Sequence, residues 1–381
     1  MKFESFENIF KDSTSNFIKV KKDDYKPSGT YPIVDQGQAF IGGYTDDEIL
    51  VVKKNLPVII FGDHTKIFKY VDFPFTIGAD GVKVLILKNK KNNALFYYYF
   101  LKSIKIVDKG YSRHFKYLKE KRLPIADYPD QLHIASLLTK AENLISQRKE
   151  SIRLLDEYLK STFLEMFGDP VRNEKGWEVN SLSKFGSLKN GLNYTRSETG
   201  VSIRCLGVGD FKDFSKLSDI DSLPMLNLTN EPNNEYFLKN GDLVFVRSNG
   251  NRELVGRCLL VFPNFEKVTF SGFCIRYRIE GKGLNPVFLS HLFRVPIFKT
   301  SMLQGGKGAN IQNISQQTLE KLKIPTPAME LQTQFAQIVE KTEALKSQYQ
   351  QSLQELENLY GMLSQRAFRG ELSLNKAAIM A

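Results

Sequence analysis

The stretch LPIADYPDQLHIASLLTKAENLISQ, residues 123–147, returns without a gap 201 residues later as IPTPAMELQTQFAQIVEKTEALKSQ, residues 324–348. Pro124, Gln131, Ala135, Lys140, Glu142, Leu144, Ser146 and Gln147 recur as Pro325, Gln332, Ala336, Lys341, Glu343, Leu345, Ser347 and Gln348. The match runs on through Ser151, Leu155 and Phe167 to Ser352, Leu356 and Phe368. Self-similarity at a fixed spacing marks a duplicated structural unit. In the first copy Ile134, Leu138, Ala141, Ile145, Ile152, Leu155 and Leu159 follow the alternating four-and-three spacing that keeps one apolar stripe on one side of a helix. Phe335, Val339, Leu353, Leu356 and Tyr360 repeat it in the second copy. Arg148 and Tyr349 interrupt the stripe at equivalent places, as do Thr342 and Lys346. Each copy is entered through a proline-bearing extended stretch, Leu123-Pro124-Ile125 and Ile324-Pro325-Thr326-Pro327, because proline bars the residue before it from helix. Gly168-Asp169-Pro170 and Arg369-Gly370 mark the ends. The spacing predicts two long helices. Separated by a folded segment that returns the chain, they pair most simply as an antiparallel coiled coil; the alternative is that each packs on its own globular neighbour.

The expected division is a globular domain at 1–122, a helical spacer at 123–169, a second globular domain at 170–323 and a second helical spacer at 324–381. The expected fold class is mixed α/β (α+β), with two curved, β-rich domains separated by the two helices. Strands are expected at 49–52, 58–61, 82–87, 242–246, 257–262 and 273–279, where short β-branched and aromatic runs lie between Gly and Asn turns. The aromatic run 96–101 reads as a core strand or helix. A weaker parallel links the domains: the apolar run 58–61 leads into Gly62-Asp63-His64 as 243–246 leads into Arg247-Ser248-Asn249-Gly250. A glycine-bearing stretch follows each (76–81 beside 270–272), and a glycine-led basic segment precedes each helix (110–116 beside 305–313).

The 381 residues carry a net charge of +11, and the excess is not evenly spread. Residues 1–128 hold 22 Lys and Arg against 15 acids and residues 168–328 hold 21 against 15, whereas 129–167 and 329–381 each hold 5 against 6. Two basic segments alternating with two near-neutral ones point to two places where phosphates are met. No window offers the roughly 18 apolar residues of a membrane span, and the N-terminus lacks a secretory pattern, so a cytoplasmic protein without membrane contact is expected. Cys205, Cys258 and Cys274 are too few and scattered for a disulfide framework or zinc site and read as small core residues. His64, His114, His133 and His291 lie far apart, with no metal-spaced pair, and His133 reads as a helix-surface residue. The chain has no GxxxxGK[ST] phosphate loop, no Asn-Pro-Pro-aromatic tetrad and no usable carboxylate–lysine nuclease set. No catalytic or metal site is therefore expected. The residues alone leave open a self-contained DNA-modifying enzyme with scattered catalytic groups, or a helical scaffold that meets only proteins.

The order of features resembles the specificity subunit of Type I restriction-modification systems over essentially the whole chain. A globular domain is followed by Leu-Pro-Ile with the Gln131, Ile134, Ala135 helix, a Gly-Asp-Pro junction and a Gly176-Trp177-Glu178-Val179 entry. A second globular domain and a second Ile-Pro-x-Pro helix complete it. The first domain lacks a counterpart of the Trp177 entry. The resemblance implies that each domain reads one half of a split site in double-stranded DNA and that the helices fix the unspecified gap. It also implies two methyltransferase subunits as partners, with S-adenosylmethionine on them and no cofactor on this chain, and motor-nuclease restriction subunits as further partners.

Reading base edges takes donors and acceptors on short turns, Arg for guanine and Asn or Gln for adenine. Arg247, Ser248, Asn249, Asn251 and Arg252 fit best, with two arginines and two amides in six residues after an apolar strand. Lys307 and Asn310 lie among glycines that permit close backbone approach to phosphate. Arg113, His114 and Lys116 occupy the equivalent place in the first domain, where His64 and Lys66 follow a strand. Gln36 and Gln38 around Gly37, and Asn193, Tyr194 and Arg196 after Gly191, complete the expected DNA-binding set.

Overall fold

The computed structural model describes residues 2–78, 81–108, 110, 112–195, 198–211, 216–251, 253–304 and 313–372. The chain forms two compact units, residues 1–150 with 350–381 and residues 151–349. The two long helices span Tyr128–Phe167 and Met329–Phe368, 40 residues each and in the repeat register at both ends. The expectation treats them as spacers apart from the globular domains, whereas each helix contributes one half to each unit. No described helix is long and apolar enough to cross a membrane.

In the first unit, one sheet runs Phe10–Asp12, Val82–Leu87, Val58–Gly62, Phe68–Val71, all antiparallel. A second sheet is centred on Phe75–Gly78, which pairs in parallel with Lys19–Val20 and with Tyr31–Val34; Gly43–Thr45 extends the latter antiparallel. The other unit repeats this plan. Its Gly186–Asn190, Cys274–Ile279, Asp242–Val246, Cys258–Val261 sheet has the same order and senses. Val201–Leu206 again lies parallel to Val268–Phe270 and antiparallel to Met225–Leu228. Of the expected strands, 82–87 and 242–246 form with those bounds. The strand expected at 49–52 shrinks to Val51–Val52, because the Asp47 carboxylate accepts from the Ile49 N–H at 3.0 Å and tightens Glu48–Leu50 into a single helical turn. Residues 96–101 are helical, within Ala94–Ser103.

The missing Trp177 counterpart is resolved by pairing. Val179–Ser181 runs antiparallel to Lys323–Pro325, with Val179 opposite Pro325. Lys2–Ser5 runs antiparallel to Arg122–Ile125, with Phe3 opposite Pro124. The N-terminal strand thus fills the entry role without a tryptophan. In the second unit the indole N–H of Trp177 donates to the Phe167 carbonyl at 2.8 Å and closes the helix end, where Gly168 takes a positive φ of 76°. Gly370 ends the other helix with the same φ, a conformation that favours glycine.

Both pairings expected of the helices occur. In the first unit Ile134, Ala135 and Leu138 at the start of one helix enter the same core as Ala367 near the end of the other, beside Phe61, Phe96 and Tyr97. In the second, Phe163 and Phe167 meet Phe335 at ring separations of 5.3 and 5.5 Å, within a core that includes Phe245 and Phe288. The helices therefore pair antiparallel within each unit and also pack on the globular parts. Ile145, Ile152 and Leu155 in the middle are only half-buried. The seam's polar interruptions are accommodated: Lys346 pairs with Asp156 at 2.5 Å, and the buried Thr342 hydroxyl donates to the Ile338 carbonyl at 2.8 Å.

One side chain in each unit fixes the helix to the sheet-bearing part. Gln131 is 1% exposed; its Oε1 accepts from the Asn93 N–H at 2.7 Å and its Nε2 donates to the Ala126 carbonyl at 2.8 Å. Gln332, fully buried, makes the same two bonds, accepting from Asn285 at 2.8 Å and donating to Pro327 at 2.8 Å. Asn93 and Asn285 in turn cap the helices Ala94–Ser103 and Pro286–Leu292.

Each orphaned buried group left by deleting such an amide costs about 1–3 kcal/mol. Gln332→Ala is expected to remove roughly 2–4 kcal/mol from the second unit. Trp177, the chain's one tryptophan, reports on that unit. In urea unfolding followed by its fluorescence, Gln332→Ala should lower the midpoint, and Gln131→Ala should lower it by less than half as much. Equal shifts, or none, would contradict the assignment.

Candidate nucleic-acid interface

A shared backbone clamp builds the same end of the sheet in both units. In the first, Asp63 follows the strand Val58–Gly62. Its N–H donates to the Gly81 carbonyl at 2.6 Å, and its carbonyl accepts from the His114 N–H at 2.9 Å. In the second, Arg247 follows the strand Asp242–Val246. Its N–H donates to the Phe273 carbonyl at 2.8 Å, and its carbonyl accepts from the Ile314 N–H at 2.8 Å. One residue thus joins the next strand's start to the segment approaching the long helix. The side chain at that position differs: an acid in one unit, an arginine in the other.

Around Asp63 the structure assembles several of the expected residues. The Gln36 Oε1 accepts from the His64 N–H at 3.2 Å, and the Thr65 hydroxyl donates to the Gln36 carbonyl at 2.7 Å. Lys66 is ion-paired with Asp108 at 2.6 Å. Arg113 and Lys116 are exposed, the latter with its ammonium 4.8 Å from the Tyr117 ring centroid. Gln38 is exposed on the loop after Tyr31–Val34. His114 corrects the expectation of a DNA contact. It is fully buried, its Nδ1 lies 3.0 Å from the Asp63 carbonyl, and the Asp63 carboxylate accepts from the Phe115 N–H at 2.7 Å. The ring joins two turns and places its neighbours Arg113 and Lys116.

Sequence reasoning missed Lys69, which is 3% exposed and donates to the carbonyls of Ala39 at 2.5 Å and Phe40 at 3.3 Å, with Asp35 at 3.7 Å. Burial pushes its ammonium below the usual lysine range, against the pull of Asp35. The signal was present in the alternation of Phe68–Val71, which turns Lys69 inward with Val71.

In the second unit Arg247 is half-buried, with Nη1 3.5 Å from the Gly272 carbonyl. Ser248 bridges to Asn313. The Asn249 Oδ1 accepts from the Asn251 N–H at 2.7 Å and the Asn251 Oδ1 from the Glu253 N–H at 3.0 Å, so these amides shape the turn that carries them. Asn193 and Tyr194 are exposed and reach the same sheet end, because Leu192 exchanges bonds with Phe270 and Gly272 at 2.8 and 2.6 Å. Partial burial raises the Tyr194 phenol. Arg196, Arg252, Lys307 and Asn310 lie outside the described residues.

Among the described residues no group of three or more His, Cys, Asp or Glu could hold a metal ion. All three cysteines are free and buried, and burial pushes the Cys205 thiol up to about 12. His291 is pushed down to about 3, also by burial. His133 is half-buried rather than on an open helix surface.

The family model described as the Type I restriction modification DNA specificity domain matches twice, at residues 8–154 and 209–358, well over half the chain. The chain belongs to this family. It is 26% identical over 209 residues to the Type I restriction enzyme StySPI specificity subunit of Salmonella potsdam, covering 52% of this chain and 44% of that protein. It is 24% identical over 270 residues to the EcoKI specificity subunit of Escherichia coli K12, covering 66% and 58%. The matches thus span about half the length of these relatives. Among solved structures, the S subunit of a Type I restriction-modification system from M. genitalium superposes with a TM-score of 0.59 at 16% identity over 96% of both chains. A chain from work on complex assembly and conformational transition of the type I R-M system gives 0.57 at 15% identity, over 97% of this chain and 98% of that one. These likenesses show the fold.

The clamp makes a local prediction. Asp63→Ala removes the acceptor of the Phe115 N–H, and amide exchange at Phe115 should quicken by about tenfold, as a buried hydrogen bond of this kind implies. Exchange at Ile314, in the other unit, should be unchanged. Unaltered exchange at Phe115 would show that the Asp63 carboxylate does not hold the turn.

Proposed function

We propose that this chain is the DNA-reading subunit of a Type I restriction-modification complex. Each unit reads one half of a bipartite, asymmetric site in double-stranded DNA, and the paired helices fix the gap between halves. The reading rests above all on the clamp: one backbone frame occurs twice, and the positions it presents carry different side chains, as two readers of different sequences require. The two basic segments, +7 over residues 1–128 and +6 over 168–328, support a phosphate-bearing ligand for both.

Partner subunits supply the chemistry. The chain docks two methyltransferase subunits, which bring S-adenosylmethionine, and motor-nuclease subunits join where restriction accompanies methylation. Each unit offers an equivalent pair of exposed apolar helix residues, Leu144 with Leu359 in the first and Leu345 with Tyr158 in the second. Two copies of one partner would find the same footing on such pairs. In this reading the chain itself is not an enzyme and works in the cytoplasm.

The purified chain is expected to transfer no methyl group to DNA alone and to direct site-specific adenine methylation once its methyltransferase is added. In that complex Arg247→Ala should change the bases accepted in one half of the site and leave the other half intact. A good bidentate base contact is worth roughly 1–3 kcal/mol of discrimination. Labelled methyl incorporation at a defined sequence by the chain alone would overturn the proposal, as would loss of both halves in Arg247→Ala.

A further inference from the structure

At the sheet end of the second unit, Phe273 stands just outside the strand Cys274–Ile279 and is 63% exposed. Its backbone is held on both sides: the N–H lies 3.3 Å from the Ser271 hydroxyl, and the carbonyl accepts from Arg247 at 2.8 Å. The preceding Gly272 packs closely on the segment before Asn193: a Cβ there would sit 3.1 Å from the Leu192 carbonyl and would push the Asn193 side chain aside. The phenyl ring is therefore presented from a fixed backbone, between Arg247 and the Asn193–Tyr194 segment. The clamp makes Gly81 the counterpart of Phe273 in the first unit. Gly81 has a positive φ of 82°, and the Gln36 amide lies 2.6 Å from where its Cβ would be. An aromatic side chain is thus presented in one unit where the other carries a glycine in a backbone conformation that strains any side chain.

Residues with hydrogen-bonding side chains, Arg247 and Asn193, flank its backbone, so the exposed ring suits the apolar part of a surface otherwise read by donors and acceptors. In the major groove the apolar group on base edges is the thymine 5-methyl. Resting on the DNA-reading function proposed above, we infer that Phe273 contacts a thymine methyl in the half-site read by the second unit and is a specificity-determining residue of that unit.

The test uses the complex with its methyltransferase and the motif that it methylates. Deoxyuridine, which lacks the methyl, replaces each thymine of the second half-site in turn, on either strand. At one position the wild-type complex should bind about fourfold more weakly, the loss that one buried methyl implies. Phe273→Ala should bind thymine and deoxyuridine duplexes equally, and Phe273→Leu should keep part of the preference. Such non-additivity identifies a contact, whereas a structural role would weaken both duplexes alike. Indifference of the wild type to deoxyuridine at every position, or a second half-site without thymine, overturns the inference. A rise in 2-aminopurine fluorescence that Phe273→Ala abolishes, with no deoxyuridine effect, overturns it in favour of a ring wedged between bases. If the wild-type complex discriminates no bases in that half-site, the DNA-reading proposal itself fails.

Discussion

Two buried glutamines hold the architecture together. Gln131 and Gln332 each answer the backbone N–H of a helix-capping asparagine and a carbonyl of the stretch leading into the long helix. A primary amide suits this position, offering an acceptor and a donor from one planar group. In a buried setting an unmet partner is costly, so the bonds fix the helix start against the sheet-bearing part in both units. With that start set, the apolar stripe has a defined register, and residues such as Ile134, Leu138 and Phe335 enter the cores rather than a free-standing seam.

The same economy appears at the opposite function of the fold, where variation is wanted. The residue after the central strand is held by the same two backbone bonds in both units, at 2.6 and 2.9 Å around Asp63 and at 2.8 Å on both sides of Arg247. Backbone bonds place no demand on the side chain. The position can carry a carboxylate that caps a turn or a guanidinium beside a carbonyl without altering the frame.

Much of this was legible in the sequence. The ungapped repeat located both long helices, and the run 243–246 with its counterpart 58–61 identified the paired central strands. The parallel of 76–81 with 270–272 reads only as a glycine-bearing stretch, whereas the structure has strands at Phe75–Gly78 and Val268–Phe270, each outside the sheet that holds the central strand of its unit. Other features were hidden because they depend on partners distant in the chain. The N-terminal strand's role as an entry element shows only through its pairing with 122–125. His114 read as a basic contact because nothing local reveals that Asp63, 51 residues earlier, would bury it. Phe273 read as the first residue of a strand, and the bond from Arg247 to its carbonyl, which leaves the ring outside, was invisible in composition. The side chains at the frame position are the least legible part, since the same backbone bonds hold an aspartate in one unit and an arginine in the other.

The central claim is that one frame, present twice, carries two independent readers. It is tested most directly by a chain in which residues 178–323 replace residues 2–122, so that both helices are joined to the same reader. The methylated motif produced with the partner methyltransferase is then mapped. The account predicts that both halves of the motif carry the sequence now read by the second unit. An unchanged motif, or a first half unrelated to the second, would contradict it.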